Sequence, residues 1–323
     1  MNTLSQPVLN ALISGAAVSS AGPTGWIRIT GNDRVRWLNG MVTNSVQALA
    51  PGEGAYAFLL NAQGRIQGDG VLWADAEEIL LQTSAEQVSS LIEMLDRFII
   101  MDEVELEDAS AQMHGVRLAG AQAASILQSL GIAAPDAANR WNKVNWMSHE
   151  VRVESMYAPL VPRVDLWVSS AQVAQELVNT LLSNGAAQAS NTDLETLRVL
   201  EGTPIFGTDI RDRDLPQETG QMRALHFNKG CYLGQEIVER IRSRGNVHRT
   251  FHTFELNGAI PESGTSLEAD GKSIGELTSF ARVNGRMIAL GFIRREVLDR
   301  NLPITYPGGT AQPIESPVRF ATS

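Results

Sequence analysis

The pattern of apolar and polar residues predicts strands and helices that alternate along most of the chain. Residues 26–30 alternate as a half-buried strand does, and residues 78–83 form a second predicted strand. A helix is expected to begin at Ser84, because Gln87 stands where it would complete a capping box and apolar residues follow at helical spacing. Such a mixture of strands and helices predicts an α+β protein.

The same strand–helix pattern occurs a second time. Residues 164–169 form a predicted strand, Ser170 is a predicted N-cap, and apolar residues again follow at helical spacing. The short segments that begin at Ser84 and Ser170 are also similar in sequence, which indicates two related strand–helix units. A third capping box, Thr192 with Glu195, predicts a helix that ends at Gly202.

From about Thr250 the character of the sequence changes. Residues 250–256 alternate strongly, and Gly and Pro interrupt the chain as far as Pro317. We therefore expect a small β-barrel or sandwich over residues 250–323, preceded by two interleaved lobes over residues 1–249.

Composition limits the classes of function. The chain has 323 residues, of which 43% are hydrophobic, and a net charge of −10, so we expect no direct nucleic-acid binding. Its single cysteine, Cys231, excludes an intrachain disulfide framework and a cysteine-rich metal centre built by this chain alone. No apolar run approaches a membrane span, and no basic segment precedes the first apolar one. These features predict a soluble, cytoplasmic protein.

Several sequence patterns resemble known ligand- or metal-binding motifs but do not match them. Residues 64–70 are rich in glycine, but their spacing fits neither a dinucleotide fingerprint nor a phosphate-binding loop, and a hairpin turn with an exposed Asp69 is the simplest interpretation. Residues 209–214 carry Arg where a calcium loop needs oxygen ligands. His248 and His252 are spaced for a helix but lie in a predicted strand. We predict no metal site.

The segment around Cys231 is the most informative. A helix over residues 234–244 would place Cys231 just before its N-terminus, where the helix dipole and Lys229 favour the thiolate. Residues 222–249 hold six Lys or Arg and two Glu, which predicts a positive pocket for an anionic small ligand or partner. The alternative is that Cys231 merely fills the core, as free cysteines often do.

This segment resembles a known family. Residues 229–236, Lys-Gly-Cys-Tyr-Leu-Gly-Gln-Glu, match the K-G-C-Y-x-G-Q-E motif of the YgfZ-type folate-binding proteins. These are relatives of the glycine-cleavage T-protein, a tetrahydrofolate-dependent aminomethyltransferase. Residues 31–44, 197–209 and 275–291 resemble three further motifs of the superfamily, so the resemblance covers nearly the whole chain.

The resemblance implies a three-lobed fold around a central funnel, with a ferredoxin-like sheet in one lobe and a C-terminal β-barrel. It also implies that the cofactor is tetrahydrofolate or a one-carbon-substituted folate. Glu201 matches the pterin-binding Glu, and a carboxylate can accept two pterin donors side by side. Lys229 and Tyr232 are further expected cofactor contacts. The positive pocket around Arg240, Arg242 and Arg244 is expected to receive the carboxylates of the folate tail, with Arg240 and Arg244 as candidate contacts and the choice among the arginines left open.

One departure from the T-protein bears on catalysis. Gly68-Asp69 stands where the T-protein has two adjacent Asp residues, one of which acts near the folate nitrogen that takes the one-carbon unit. One carboxylate is kept, so it is open whether this chain is an enzyme. The Cys-Tyr pair and the Gln of the later motif favour the YgfZ-type branch.

The resemblance implies an accessory factor in the assembly or repair of iron–sulfur clusters, with an indirect effect on tRNA modification. Its partners would be iron–sulfur client proteins or assembly factors, and Cys231 would be the reactive or transiently ligating thiol. One thiolate cannot hold a cluster that needs four ligands. The alternative is a folate-dependent one-carbon (aminomethyl) transferase that uses Asp69 as its polar or basic group.

Overall fold

The structure is a computed structural model, and it describes residues 2–245 and 247–320, apart from the side chain of Arg244. Within these ranges no helix is long and apolar enough to span a membrane.

The described chain forms eighteen strands and eight α-helices. The strands are β1 (Asn2–Thr3), β2 (Ala17–Ser20), β3 (Thr24–Thr30), β4 (Gly54–Leu60), β5 (Ile66–Ala74), β6 (Ile79–Ser84), β7 (Glu105–Asp108), β8 (His114–Ala119), β9 (Arg140–Trp146), β10 (His149–Ser155), β11 (Arg163–Val168), β12 (Ala187–Gln188), β13 (Arg249–Gly258), β14 (Ser266–Ala269), β15 (Lys272–Val283), β16 (Arg286–Arg294), β17 (Thr305–Tyr306) and β18 (Gly309–Ile314). The helices are α1 (Gln6–Ser14), α2 (Arg34–Asn39), α3 (Val88–Asp96), α4 (Ala123–Ser129), α5 (Ala171–Ser183), α6 (Asn191–Glu201), α7 (Gln235–Arg244) and α8 (Arg295–Asp299).

Two of the three sheets share one strand order. The first sheet runs β4-β5-β6-β3-β7 and the second runs β12-β2-β8-β11-β10-β9. In each, the strand that precedes the longer helix (β6 or β11) pairs antiparallel with an earlier strand (β3 or β8). The strand that follows the helix lies on the other side of that earlier strand, as in a ferredoxin-like sheet. In the first sheet β7 lies beside β3, and in the second sheet β2 lies between β12 and β8.

This shared order confirms the predicted pair of strand–helix units. Ser84 ends β6 and precedes the short 3₁₀ turn that leads into α3, and Ser170 is the N-cap residue of α5. The expected capping box is not formed: α3 begins at Val88, and neither serine side chain caps a backbone N–H. In both helices the apolar residues at helical spacing are buried. They join the hydrophobic clusters formed with the adjoining sheets. The two sheets meet at a cluster of buried tryptophans: Trp26, Trp73, Trp141 and Trp167.

The third sheet is a closed barrel. Its strands follow the order β15-β14-β17-β18-β13-β16, and β16 pairs back onto β15, while β1 adds to β15 in parallel. Gly275 explains part of the barrel motif, since a Cβ there would collide with the backbone carbonyl of Phe292 on the neighbouring strand. The expected C-terminal β-barrel is therefore confirmed.

The start of α6 differs from the prediction. The capping box is formed by Ser190 and Asp193, two residues before the expected Thr192 and Glu195. The Asp193 carboxylate accepts hydrogen bonds from the backbone N–H groups of Ser190 (2.9 Å) and Ser5 (3.0 Å), so a contact with the distant N-terminus helps to select it. The helix ends at Gly202 in the left-handed conformation, as predicted.

Candidate functional site

Two adjoining cavities lie where α6 and the loop after it face the two ferredoxin-like sheets. The Glu201 cavity has a volume of about 460 Å³, and the Asp69 cavity has a volume of about 260 Å³. They share four lining residues: Arg117, Arg163, Thr203 and Ile205. The structure therefore brings two of the predicted site residues, Glu201 and Asp69, to one continuous site.

Glu201 is the last residue of α6, and its side chain is only 1% exposed. Its Oε2 atom lies 3.6 Å from Nη1 of Arg163, whereas its Oε1 atom is buried and accepts no hydrogen bond from the described residues. Burial raises the pKa of Glu201, and the nearby Arg163 guanidinium and the backbone N–H of Leu160 oppose that rise, although no described donor meets hydrogen-bond geometry at Oε1. A buried carboxylate oxygen without a donor is costly, so this atom is suited to a ligand that supplies one.

A hydrogen-bond network behind α6 fixes the position of Glu201. Buried Asp209 accepts hydrogen bonds from Arg198 (2.7 Å), Thr278 (2.5 Å) and Ser279 (2.7 Å). Arg198 belongs to α6, one turn before Glu201, and the two hydroxyls belong to the barrel. Two of the three further motifs, residues 197–209 and 275–291, thus meet in one network that ties the cavity wall to the barrel.

Asp69 lies in the interior of β5 and is buried, so the interpretation as an exposed residue of a hairpin turn is wrong. The turn lies earlier, at Gly64, where the chain adopts a positive φ of 71°. The Asp69 carboxylate accepts hydrogen bonds from the Tyr56 hydroxyl (2.5 Å) and the Gln87 amide (3.1 Å). Burial raises the pKa of Asp69, and these hydrogen bonds oppose the rise.

Arg223 supplies positive charge to the Asp69 cavity. Its guanidinium carbon lies 4.1 Å from the ring centre of Tyr56 and 4.3 Å from that of Tyr157, a cation–π arrangement on two sides. Among the described residues it has no carboxylate within ion-pair distance. A guanidinium held flat in this way keeps its N–H edge available for an anion.

The sequence did not single out most of the cavity's cationic and aromatic residues. Arg223 falls within the basic segment over residues 222–249, which was a usable signal. The other residues are far apart in the sequence: Arg117 lies in β8, Arg163 in β11 and Tyr157 in the loop before β11. They line one cavity because these elements are neighbours in the folded chain.

Lys229 has a structural role. Its ammonium donates hydrogen bonds to the backbone carbonyls of Asn39 (2.6 Å), Val42 (2.7 Å) and Asn44 (2.7 Å), at the end of α2. Burial lowers the pKa of Lys229 to about 8, while the three acceptors favour its charged form. Because an ammonium has three N–H donors, none is left for a hydrogen bond to the expected cofactor.

The same segment exposes Cys231. The thiol lies in the loop before α7 and is exposed, so the interpretation as a core residue is wrong. The loop is fixed by Gly234, whose positive φ of 81° and close approach to the carbonyl of Asn61 leave no room for a Cβ. Cys231 therefore lies on an anchored surface loop, and it is not among the residues that line the two cavities.

Tyr232, Arg240 and Arg242 also lie away from the cavities. Tyr232 is buried among the apolar residues beneath α7, and burial raises its pKa to about 12. Arg240 is exposed and pairs with Glu236 one helical turn away (2.7 Å), and Arg242 stacks on Phe227. The side chain of Arg244 lies outside the described residues. The cationic groups of the site are thus supplied by other elements than the predicted helix.

Within residues 2–245 and 247–320 no group of three or more His, Cys, Asp or Glu is arranged to hold a metal ion.

Comparisons with known proteins show what the whole chain is similar to. The GCVT N-terminal domain matches residues 9–161. A putative chloroplastic transferase of Arabidopsis thaliana is 27% identical over 295 residues, which is 89% of this chain and 67% of the relative. The tRNA-modifying protein YgfZ of Yersinia enterocolitica is 26% identical over 272 residues, covering 81% and 78% of the two chains.

The fold has a solved counterpart. The glycine cleavage system aminomethyltransferase T from Bartonella henselae superposes with a TM-score of 0.82 at 17% identity, covering 94% of this chain and 86% of that protein. The domain match, the sequence relatives and the fold agree with the resemblance drawn from the sequence motifs. Together they support a YgfZ-type member of the glycine-cleavage T-protein superfamily.

Proposed function

We propose that this chain binds a reduced folate in the two adjoining cavities, with the pterin against Glu201. The observation that carries the proposal is the buried Oε1 atom of Glu201, which no described donor satisfies. A pterin presents an amino group and a ring N–H side by side, and an ionised carboxylate accepts both in a charge-assisted pair. When bound, the folate would supply a carrier for a one-carbon unit.

The rest of the folate would extend into the Asp69 cavity. The tail carries carboxylates, and Arg223 lies there between Tyr56 and Tyr157. Its Nε atom donates to Gln221 (3.1 Å), and among the described residues it has no carboxylate partner. This assignment replaces the one made for Arg240, which is engaged with Glu236 on the surface. Asp69, held by Tyr56 and Gln87, would be the polar group in the middle of the bound cofactor.

The proposed role of the folate-bound protein is that of an accessory factor in the assembly or repair of iron–sulfur clusters in other proteins. Its exposed Cys231 would act on a client protein or assembly factor, because a single thiolate needs ligands from a partner to hold a cluster. The bacterial relatives carry the name tRNA-modifying protein. We propose that any effect of this chain on tRNA is indirect, through a cluster-containing enzyme, with no direct contact to nucleic acid.

A one-carbon transferase is the second candidate, because Asp69 retains one of the two T-protein carboxylates inside a cavity of suitable character. The sequence weighs against it, because Gly68 stands where the transferase has its second Asp. A Cβ at Gly68 would lie 2.7 Å from side-chain atoms of both Gln87 and Leu91, so a second Asp would require these flexible side-chain ends to shift. The missing carboxylate, rather than a lack of room, sets this chain apart from the transferase.

Two assays separate the candidates. Cells that lack the protein are tested for iron–sulfur enzyme activity after rescue with the wild type, Cys231→Ala or, as a surface control, Ser243→Ala. The accessory role predicts rescue by the wild type and the control and failure of Cys231→Ala. In parallel, purified protein is incubated with tetrahydrofolate and an aminomethyl-lipoyl donor. Rapid formation of methylene-tetrahydrofolate, with full rescue by Cys231→Ala, would establish the transferase instead.

A further inference from the structure

Arg163 carries hydrogen-bond donors that the protein does not use. Its Nη2 atom donates to the carbonyl of Tyr157 (3.2 Å), and its Nη1 atom lies 3.6 Å from Glu201, too far for a hydrogen bond. Its Nε atom is buried and has no acceptor among the described residues. A guanidinium has five N–H donors, and burying one without a partner is unfavourable.

The neighbouring Arg117 is different. Its Nε and Nη2 atoms hold the buried carboxylate of Asp165 in a two-point pair, at 2.9 and 2.8 Å. Its charge is therefore matched within the protein. Arg163 lines both cavities as Arg117 does, but among the described residues its only carboxylate within 4 Å is Glu201, at the longer distance. Arg163 is the cation of this wall that is free to donate to a ligand.

The backbone holds Arg163 in place beside Glu201. It is the first residue of β11 and pairs with Ala119 of β8, and its carbonyl accepts a hydrogen bond from the N–H of Met156 (3.0 Å). The carboxylate acceptors and the guanidinium donors therefore stand next to each other on one wall of the Glu201 cavity.

We infer that Arg163 recognises the 4-oxo group of the pterin and so makes the site specific for 2-amino-4-oxo pterins over 2,4-diamino ones. The pterin edge presents, in series, the 2-amino group, the N3–H group and the 4-oxo oxygen: two donors followed by an acceptor. Glu201 followed by Arg163 presents the complementary order of acceptors and then donors. A 4-amino group would set a donor against the guanidinium, and the unpaired donors would reject it.

This inference rests on the proposed folate site and can be tested apart from it. The dissociation constants of tetrahydrofolate and its 4-amino analogue are measured by calorimetry for the wild type, Arg163→Met and Arg163→Gln. Arg223→Met is the matched control, because Arg223 lines only the Asp69 cavity. Thermal unfolding of each variant checks its folding, and the Gln variant keeps a polar side chain if the Met variant is unstable.

The wild type is expected to prefer the 4-oxo compound, and both Arg163 variants should reduce that preference roughly tenfold or more, the effect of losing a charged hydrogen bond. Arg223→Met should weaken both compounds alike and leave their ratio unchanged. If tetrahydrofolate binds normally but the ratio is the same in both Arg163 variants as in the wild type, the inference is overturned and the folate site stands. If the wild type does not bind tetrahydrofolate, both are overturned.

Discussion

Glu154 is a fully buried carboxyl group at the contact between the two ferredoxin-like sheets. It accepts hydrogen bonds from Nε of Arg152 (2.6 Å) and from the indole of Trp167 (2.8 Å). Across the strand pair its neighbour is Asp165, a second buried carboxylate. Burial raises the pKa of Glu154 from 4.5 to about 7, although Arg152 opposes the rise.

This raised pKa predicts how stability depends on pH. Between pH 4.5 and 7 the folded state binds a proton at Glu154 that the unfolded state has lost, so the free energy of unfolding falls as the pH rises. A tenfold change in proton affinity is worth about 1.4 kcal/mol, so the whole effect of Glu154 is about 3 kcal/mol. The glutamine variant cannot titrate and should lack this part of the pH dependence.

The assay is urea unfolding of the wild type and Glu154→Gln at intervals from pH 4.5 to 8, followed by tryptophan fluorescence. Glu150→Gln is the control, since Glu150 lies on the same strand but is exposed. The offset between wild type and Glu154→Gln at any one pH includes the lost charge partner of Arg152, so the difference is followed across the pH range. It should change by about 3 kcal/mol in favour of Glu154→Gln as the pH rises. A constant difference would refute the reasoning.

Two further predictions concern the segment around Cys231. Lys229→Met removes the ammonium that satisfies three carbonyls and should lower the free energy of unfolding by about 2 kcal/mol or more, measured in urea. Arg240→Met, which removes only an exposed pair, should change it by less than about 0.5 kcal/mol. A small effect of Lys229→Met would contradict the role given to it. The Cys231 thiol should react with iodoacetamide as fast in native protein as in urea, because it is exposed; reaction only after unfolding would exclude a functional role.

The sequence was informative wherever structure depends on neighbours along the chain. The two strand–helix units after Ser84 and Ser170 and the helix after Gly234 follow from hydrophobic periodicity, and the end of α6 follows from the left-handed Gly202; both are local properties. The barrel was visible as alternation. Glu201 is singled out by the family motif, and in the structure it lines a cavity and has an acceptor atom that no described donor satisfies.

What the sequence did not reveal depends on contacts between distant segments. The acceptors of Lys229 lie some 190 positions earlier in the chain, so its structural role has no local signal. Arg163 and Arg223 reach the cavities from separate elements for the same reason. Asp69 was misplaced because glycines that relieve crowding within a sheet give the same pattern as glycines in a turn.

The account depends on the claim that Glu201 binds the pterin of a reduced folate. Calorimetric titration of tetrahydrofolate into the wild type, Glu201→Gln and Glu195→Gln tests it most directly. Glu195 lies on the same helix and lines the same cavity, but its carboxylate is held by Arg198. The account predicts that Glu201→Gln weakens binding by about 1.5–3 kcal/mol, roughly ten- to hundredfold, and that Glu195→Gln has little effect. Equal affinity of the wild type and Glu201→Gln would contradict it.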